Sequence, residues 1–339
     1  MAIIDKVAPP GSRRRRAARA LRHALRGAGP AKPARTTPTR PHTVEQEKQT
    51  LKSSWADVDA EALDDYLVSG FQNPQINAQS ILTRHHLIRE LFPDDDFGDL
   101  MRGELEHSAR ATRALYDRSE ELGVRMGTFV SESRRADVRR VAEVIKDWQD
   151  DYEKKWAATL ADKTVAHKLR VLEFACGSAN DYRYLDRYGI ARFLDYTGID
   201  LNDNNIDNAR RRYPGVDFQV QNVLELPFDD RSYDYVVVFD LFEHMSIAAM
   251  EQALREACRI AGKGLILTFF IMADIPEHEV RPKRTYFFNR LSKDKVQQLL
   301  ENTFGPVQSV RIADLMDDYG NRSSSNPQAW TMIATRRED

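Results

Sequence analysis

Apolar residues follow two regimes along this chain. Before about residue 165 they recur at three- and four-residue steps, and after it they gather in short runs. The first regime predicts amphipathic helices. "DVDAEALDDYLVSG" starts acidic and stops at Gly70, and "NPQINAQSILTRHHLIRELF" sets Ile76, Ser80, Leu87 and Leu91 near helical spacing, with Pro93 beyond. "FGDLMRGELEHSARATRALYDRSEELG" is a third helix, closed by Gly123. In the fourth, Val138, Val141, Ile145, Trp148, Tyr152 and Trp156 form one stripe, whose aromatics suit a core better than a ligand cage. His85 and His86 are expected to pack or to sit at the surface.

The second regime reads differently. "LRVLEFACG", "FLDYTGIDL", "VDFQVQN", "YDYVVVFDL" and "GLILTFFIM" are strand-length runs, separated by helical segments at 180–189, 203–213 and 247–261. Strands alternating with helices predict a parallel sheet covered on both faces. A helix at 292–303 and two more strands, "VQSVRIAD" and "AWTMIATRR", complete the set. The linker between those two strands is too short for a crossover helix, so they should pair antiparallel. The expected fold is a doubly wound, Rossmann-like α/β sheet of seven strands, the last antiparallel, with a helical N-terminal region. The expected divisions are a disordered basic tail over 1–50, a helical accessory or cap region over 51–164 and the α/β domain over 165–339.

Charge adds an asymmetry. The net charge of −2 combines eleven Lys/Arg against one acid in residues 1–40 with 39 basic and 51 acidic residues in the remainder, a body of −12. An acidic body argues against an enzyme whose surface tracks nucleic-acid phosphates. The tail is rich in Arg, Pro, Ala and Thr and is expected to be disordered. Within it Ala17, Leu21, Ala24 and Leu25 share a stripe among arginines, which suits an anionic membrane surface or RNA, or simply a solvated tail. Two cysteines, Cys176 and Cys258, make no disulfide framework or zinc motif. With no signal-like or membrane-spanning run, the expected location is cytoplasmic, with peripheral membrane contact by the tail as a candidate.

The chemistry is concentrated in "VLEFACGSANDYR", residues 171–183. In a doubly wound sheet the ligand sits beyond the strand ends beside strand one. Gly177 lets the backbone approach a ligand, and Asn180 or Ser178 is expected to cap the next helix. Glu173 ends the strand, where a carboxylate repels phosphate and attracts an ammonium group. Asp200 ends strand two, placed to accept ribose hydroxyls. A ligand with a ribose, an adenine and a cationic amino-acid end satisfies both acids, as S-adenosylmethionine does.

With these motifs the segment from about 169 to 338 resembles the class I S-adenosylmethionine-dependent methyltransferases, in particular their small-molecule, type 11-like group. "VLEFACGSA" is similar to the family's first motif, with Ala175 and Ala179 where glycines usually stand. Ala175 is expected to hold a negative φ, which tolerates its β-carbon. The resemblance implies Glu173, Ala175 and Gly177 at the methionine end, Asp200 on the ribose and Leu201 beneath the adenine. It places Asn222 as acceptor for the adenine amino group, the Val223 N–H at the ring, and Asp240 among the cofactor residues. "FDLFEHM" resembles the family's Leu-Glu-His segment, through Phe242, Glu243 and His244.

An acceptor hydroxyl gains from a base, and His244 is the first candidate, with loop orientation by Glu243 and His244 as the other reading. His278, in the polar loop after strand five, is the second candidate. No Asn/Asp-Pro-Pro-aromatic segment follows strand four, as nucleobase amino methylation would want, and no cysteine follows it for cytosine-carbon chemistry. No metal is expected. The implied function is methylation of a small molecule or glycan, at oxygen, in secondary metabolism or envelope synthesis. A non-catalytic S-adenosylmethionine binder, or an RNA methyltransferase guided by the tail, are the alternatives.

Overall fold

The computed structural model describes residues 76–123, 135–283, 286–320 and 326–338, without some side chains between 116 and 148. The basic tail, the helix ending at Gly70, and the side chains of Val138, Val141, Ile145 and Trp148 lie outside the described residues.

Three helices come first: α1 (Ala78–Leu91), α2 (Gly98–Leu122) and α3 (Arg135–Leu160). Asn77 starts α1, its side-chain oxygen accepting from Gln79 N at 2.9 Å, and Gly123 ends α2 at a φ of +62°. The α/β part then runs β1 (Leu169–Phe174), α4 (Tyr182–Arg187), β2 (Leu194–Asp200), α5 (Asp203–Arg212), β3 (Asp217–Val220) and β4 (Tyr233–Phe239). It continues through α6 (Ile247–Ile260), β5 (Ala261–Phe269), the short β6 (Met272–Ala273) and β7 (Leu291–Ser292), and α7 (Lys293–Thr303). The chain closes with β8 (Val307–Arg311), α8 (Ile312–Asp317) and β9 (Trp330–Thr335).

The seven-stranded sheet has the order β3-β2-β1-β4-β5-β9-β8. Strands β1 to β5 are parallel, and β9 runs antiparallel to both β5 and β8. The sheet and the antiparallel closing strand are those expected from the sequence. The predicted last-but-one strand is shorter, because "IAD" leaves the sheet at Ile312 to form α8. That turn lets Ile312 and Met316 bury against Ala78, Ile81 and Leu82 of α1 and Leu105 of α2, and a short helix therefore does occupy the linker.

Alternation along the strands divides the core. Val171, Tyr235, Val237 and Ile266 face Leu87, Ile88 and Trp156 of the N-terminal helices, while Leu172, Phe174, Val236, Val238, Leu265 and Leu267 face Leu254 of α6 and Leu300 of α7. Both faces are covered, which explains the continuous apolar runs of the strands. α1 is therefore part of the main core.

Arg84 fixes that layer. It is fully buried, pairs with Glu104 of α2, and lies over the Tyr188 ring at 4.3 Å. His85 Nε2 meets the other Glu104 oxygen at 2.9 Å and packs edge-on against Trp156, while His86 packs against Tyr235. Both histidines pack, as expected.

Candidate active site at the switch point

Strand order reverses between β1 and β4, so the loops leaving their C-terminal ends diverge and leave a crevice. The β1 turn is bent tightly back. Cys176 N donates to Ile199 O at 2.9 Å, and Gly177 N donates to Asp200 Oδ2 at 3.0 Å. Such a path needs left-handed backbone: Ala175, Gly177 and Ala179 have φ of +53°, +56° and +63°. The expectation of a negative φ at Ala175 is thus overturned. Each alanine carries a strain of about 1–2 kcal/mol that glycine would not. Gly198 serves the same turn from β2, where a β-carbon would come within 3.0 Å of the Phe218 ring and the Cys176 sulfur.

The capping expectation also changes. Asp181, and not Ser178 or Asn180, precedes α4, and it makes no side-chain cap bond. The Ser178 hydroxyl is drawn to Asn205 and Asn208 of α5 instead. Asn180 Oδ1 is buried without a partner among the described residues.

Acids converge here. Glu173 is buried, accepts from Tyr196 OH at 2.7 Å, and burial pushes its carboxyl up to about 7. Asp181 accepts from Ser80 of α1, and burial followed by the nearby Glu173 and Asp240 raises it well above the carboxylate range. Asp240 ends β4 at a φ of +46°, accepts from Thr268 Oγ1 at 3.3 Å, and is raised to about 7 by burial and by Glu243. Asp181 and Asp240 keep partial exposure at the mouth. Asp200 accepts from the backbone N–H of Gly177 and of Asn202, the latter at 2.7 Å, yet burial still raises it. Among the described residues no Lys or Arg makes an ion pair with any of these four acids.

The adenine-side candidates share the rim of β2 and β3. Gln221 N donates to Asp200 O at 3.0 Å, which draws the β3 loop beside Leu201. Asn222 Oδ1 accepts from Leu224 N at 3.1 Å, leaving one lone pair, and Val223 is partly exposed.

Beyond β4, Glu243 and His244 part ways. Glu243 is fully buried, its Oε1 accepting from Phe270 N at 2.6 Å and Ile271 N at 3.2 Å, while its carbonyl takes Asn289 N at 2.9 Å. It ties three rim loops together. His244 Nδ1 lies 3.2 Å from Phe287 O. A carbonyl only accepts, so Nδ1 carries the hydrogen and Nε2 keeps its lone pair. Burial lowers the His244 pKa, with Phe287 O and Asp240 opposing, so the ring is neutral at pH 7. His278 belongs to another group. Its Nδ1 accepts from Ser292 N at 3.0 Å, and it lines a groove of about 400 Å³ with Ile247, Glu251 and Lys295.

The structure therefore assembles Glu173, Ala175, Gly177, Asp200 and Asp240 with His244 on one rim, and Leu201, Asn222 and Val223 beside it. Asp181 is the residue that sequence reasoning missed. Its signal was present: a second acid only eight positions after Glu173, at the start of the helix behind the turn.

Four acids, two of them buried and two at the mouth, with no ion-paired Lys or Arg among the described residues, one orphaned amide oxygen and a turn that admits close approach at Gly177 fit a ligand that brings positive charge and hydroxyls. Comparison with known proteins agrees. Residues 171–264 match the family model described as a methyltransferase domain. Residues 171–264 therefore carry a methyltransferase domain, and S-adenosylmethionine is the cofactor that this class of domain uses.

The particular relatives are more distant. A phthiotriol/phenolphthiotriol dimycocerosates methyltransferase of Mycobacterium tuberculosis (strain ATCC 25177 / H37Ra) is 33% identical over 114 residues, 33% of this chain and 40% of that protein. A demethylmenaquinone methyltransferase of Renibacterium salmoninarum is 26% identical over 53% of this chain and 64% of its own length. A fatty-acid O-methyltransferase of Mycolicibacterium smegmatis is 39% identical over 24% of this chain and 29% of its own. The matches thus span less than two thirds of these relatives.

Proposed function

We propose that this chain transfers a methyl group from S-adenosylmethionine to an oxygen of a small, lipid-like acceptor. The observation that carries the reading is the group of buried and half-buried carboxylates with no cation paired to them among the described residues, on the same rim as a neutral His244 with Nε2 open. The relatives named for a fatty acid, dimycocerosates and demethylmenaquinone support the acceptor class.

In this reading Glu173, Asp181 and Asp240 hold the cationic methionine end, and Asp200 accepts the ribose hydroxyls. Leu201 and Val223 border the adenine, whose amino group donates to Asn222. When bound, the cofactor supplies an electrophilic sulfonium methyl. The protein's tasks are then to align an acceptor oxygen, to exclude water and to remove one proton. Alignment alone is worth several kcal/mol. His244 Nε2 takes the acceptor's hydroxyl proton, and the Phe287 carbonyl stabilises the imidazolium that results. Glu243 positions that loop without touching the reacting atoms.

The test is calorimetry with S-adenosylmethionine, followed by incorporation of labelled methyl into fatty-acid and quinol acceptors, for the wild type and His244→Ala. With the quinol, whose hydroxyl is protonated at neutral pH, the variant should bind cofactor normally and turn over about 100-fold more slowly, with partial recovery at high pH where the hydroxyl ionises unaided; a fatty acid, already a carboxylate, should lose little. A variant that loses cofactor affinity together with rate, with no recovery at high pH, would assign His244 to loop orientation. A wild-type protein that binds cofactor and methylates no acceptor would favour a non-catalytic binder.

A further inference from the structure

Large apolar side chains among the described residues are almost all inside. Among the described residues only Val220, Val280 and Tyr286 are exposed, at 46%, 52% and 46%. Two of the three lie on paired arms, 279–283 and 286–290, joined by bridges between Glu279 and Arg290 and between Pro282 and Phe287. The second arm is fixed along its length to the active-site rim. Phe287 N donates to His244 O, and the buried Asn289 donates through Nδ2 to Met245 O at 2.7 Å and accepts from Arg281 N at 2.9 Å. Tyr286 and Phe288 flank the His244 ring at centroid distances of 6.0 and 5.8 Å.

The charge of this stretch opposes that of its surroundings. Residues 277–295 hold six Lys/Arg against Glu277, Glu279 and Asp294, a net +3 on a body that otherwise totals −15, with Arg281 and Arg290 sharing Glu279 and Lys295 paired to Glu277. Lys283 is exposed with its ammonium 5.9 Å from the Phe288 ring, an amphipathic pairing of cation and aromatic. Exposed apolar tips, a tyrosine and flanking cations are what an interface between water and anionic headgroups selects.

We propose that the paired arms 279–283 and 286–290 dock on an anionic phospholipid surface, with Val280 and Tyr286 entering the headgroup layer, so that an acceptor leaves the bilayer beside His244. The docking rests on the lipid-acceptor reading for its purpose, but its geometry is independent of it. An acidic body keeps the rest of the protein off such a surface and orients the paired arms toward it.

The experiment uses the full chain with Val280→Cys carrying an environment-sensitive fluorophore. The two native thiols are buried, which directs labelling to the first arm. On vesicles of phosphatidylglycerol and phosphatidylcholine the probe should shift to the blue, and on pure phosphatidylcholine or in high salt it should not. In unlabelled protein, Val280→Ser with Tyr286→Ser should lower vesicle partitioning about tenfold, the scale of losing two shallowly buried apolar groups, at an unchanged melting temperature. Co-sedimentation without a probe shift would assign binding to the N-terminal basic segment and overturn the proposal. A shift without vesicles that grows with protein concentration would assign the paired arms to a second copy and overturn it equally. The acceptor reading fails separately. In that case the probe shifts on anionic vesicles while no fatty-acid or quinol acceptor gains label.

Discussion

Glu104, in the helical layer, and Glu173, at the end of β1, are both buried carboxylates, yet their surroundings push them in opposite directions. Burial raises both. At Glu104 the Arg84 guanidinium and the His85 ring outweigh it and hold the carboxyl below its usual range. At Glu173 a tyrosine hydroxyl is the favourable partner and Asp200 adds repulsion, so the carboxyl rises to about 7. The first site is complete in the folded chain and serves stability. The second concentrates four acids and supplies no cation among the described residues, so it costs stability until a cationic ligand arrives. A buried charge that the protein itself neutralises marks architecture, and one left for a ligand marks function.

The largest effect should come from breaking the compensated site. Arg84→Met leaves Glu104 buried and stripped of its main counter-charge, and should cost about 3–5 kcal/mol of folding stability, measured by chemical denaturation. Cofactor affinity in the remaining folded protein should change little. A loss below 1 kcal/mol would mean that Glu104 is no better compensated than Glu173.

Glu173→Gln should do the reverse. The Tyr196 hydroxyl keeps an oxygen to donate to, so the melting temperature should stay level or rise. Calorimetric affinity for S-adenosylmethionine should fall by about 1.5–3 kcal/mol, the range for a hydrogen bond to a charged group. Unchanged affinity would remove Glu173 from the cofactor site.

The contrast also predicts a pH dependence. A carboxyl raised to about 7 in the fold binds its proton more tightly than in the unfolded chain, near 4. Between those values the native state holds more protons than the unfolded state, so stability falls as pH rises from about 4 to about 7. Glu104, held low, contributes in the other direction only below about pH 4. Cofactor binding favours the charged carboxylates and releases protons, so its affinity should climb over the window in which the apo stability falls. Calorimetry in buffers of different ionisation enthalpy would detect the released protons. A flat affinity from pH 5.5 to 8 would mean that these acids are already charged without ligand.

The smallest effect concerns the turn itself. Ala175 is only partly buried and holds a φ of +53°, so Ala175→Gly removes strain without opening a cavity. It should stabilise by up to about 1 kcal/mol, with the glycine's greater unfolded-state freedom taking back part of the gain. Ala179 has a similar φ but is fully buried, and the same change there forfeits a packed methyl. A destabilised Ala175→Gly would show that its methyl is held by the ligand-side packing.

Periodicity was enough to foresee α1 to α3, the five parallel strands and the antiparallel end, because a residue's burial repeats with its own element's geometry. Glu173, Gly177 and Asp200 were legible for a related reason. Each is fixed by its place at a strand end, and a strand end is a local feature. Local sequence does not carry backbone sign or distant partners. The positive φ of Ala175 follows from Gly177 N reaching back to Asp200, 23 residues on. Asp181 gains a hydrogen bond from Ser80, on a helix a hundred residues earlier. The Nδ1-protonated tautomer of His244 was set by a carbonyl 43 residues away, and its neutrality by the burial that the fold imposes. The sequence by itself determined which elements form and which acids end the strands. Tertiary structure alone decided which of those acids found a counter-charge, since the cost of a buried charge depends on everything packed around it.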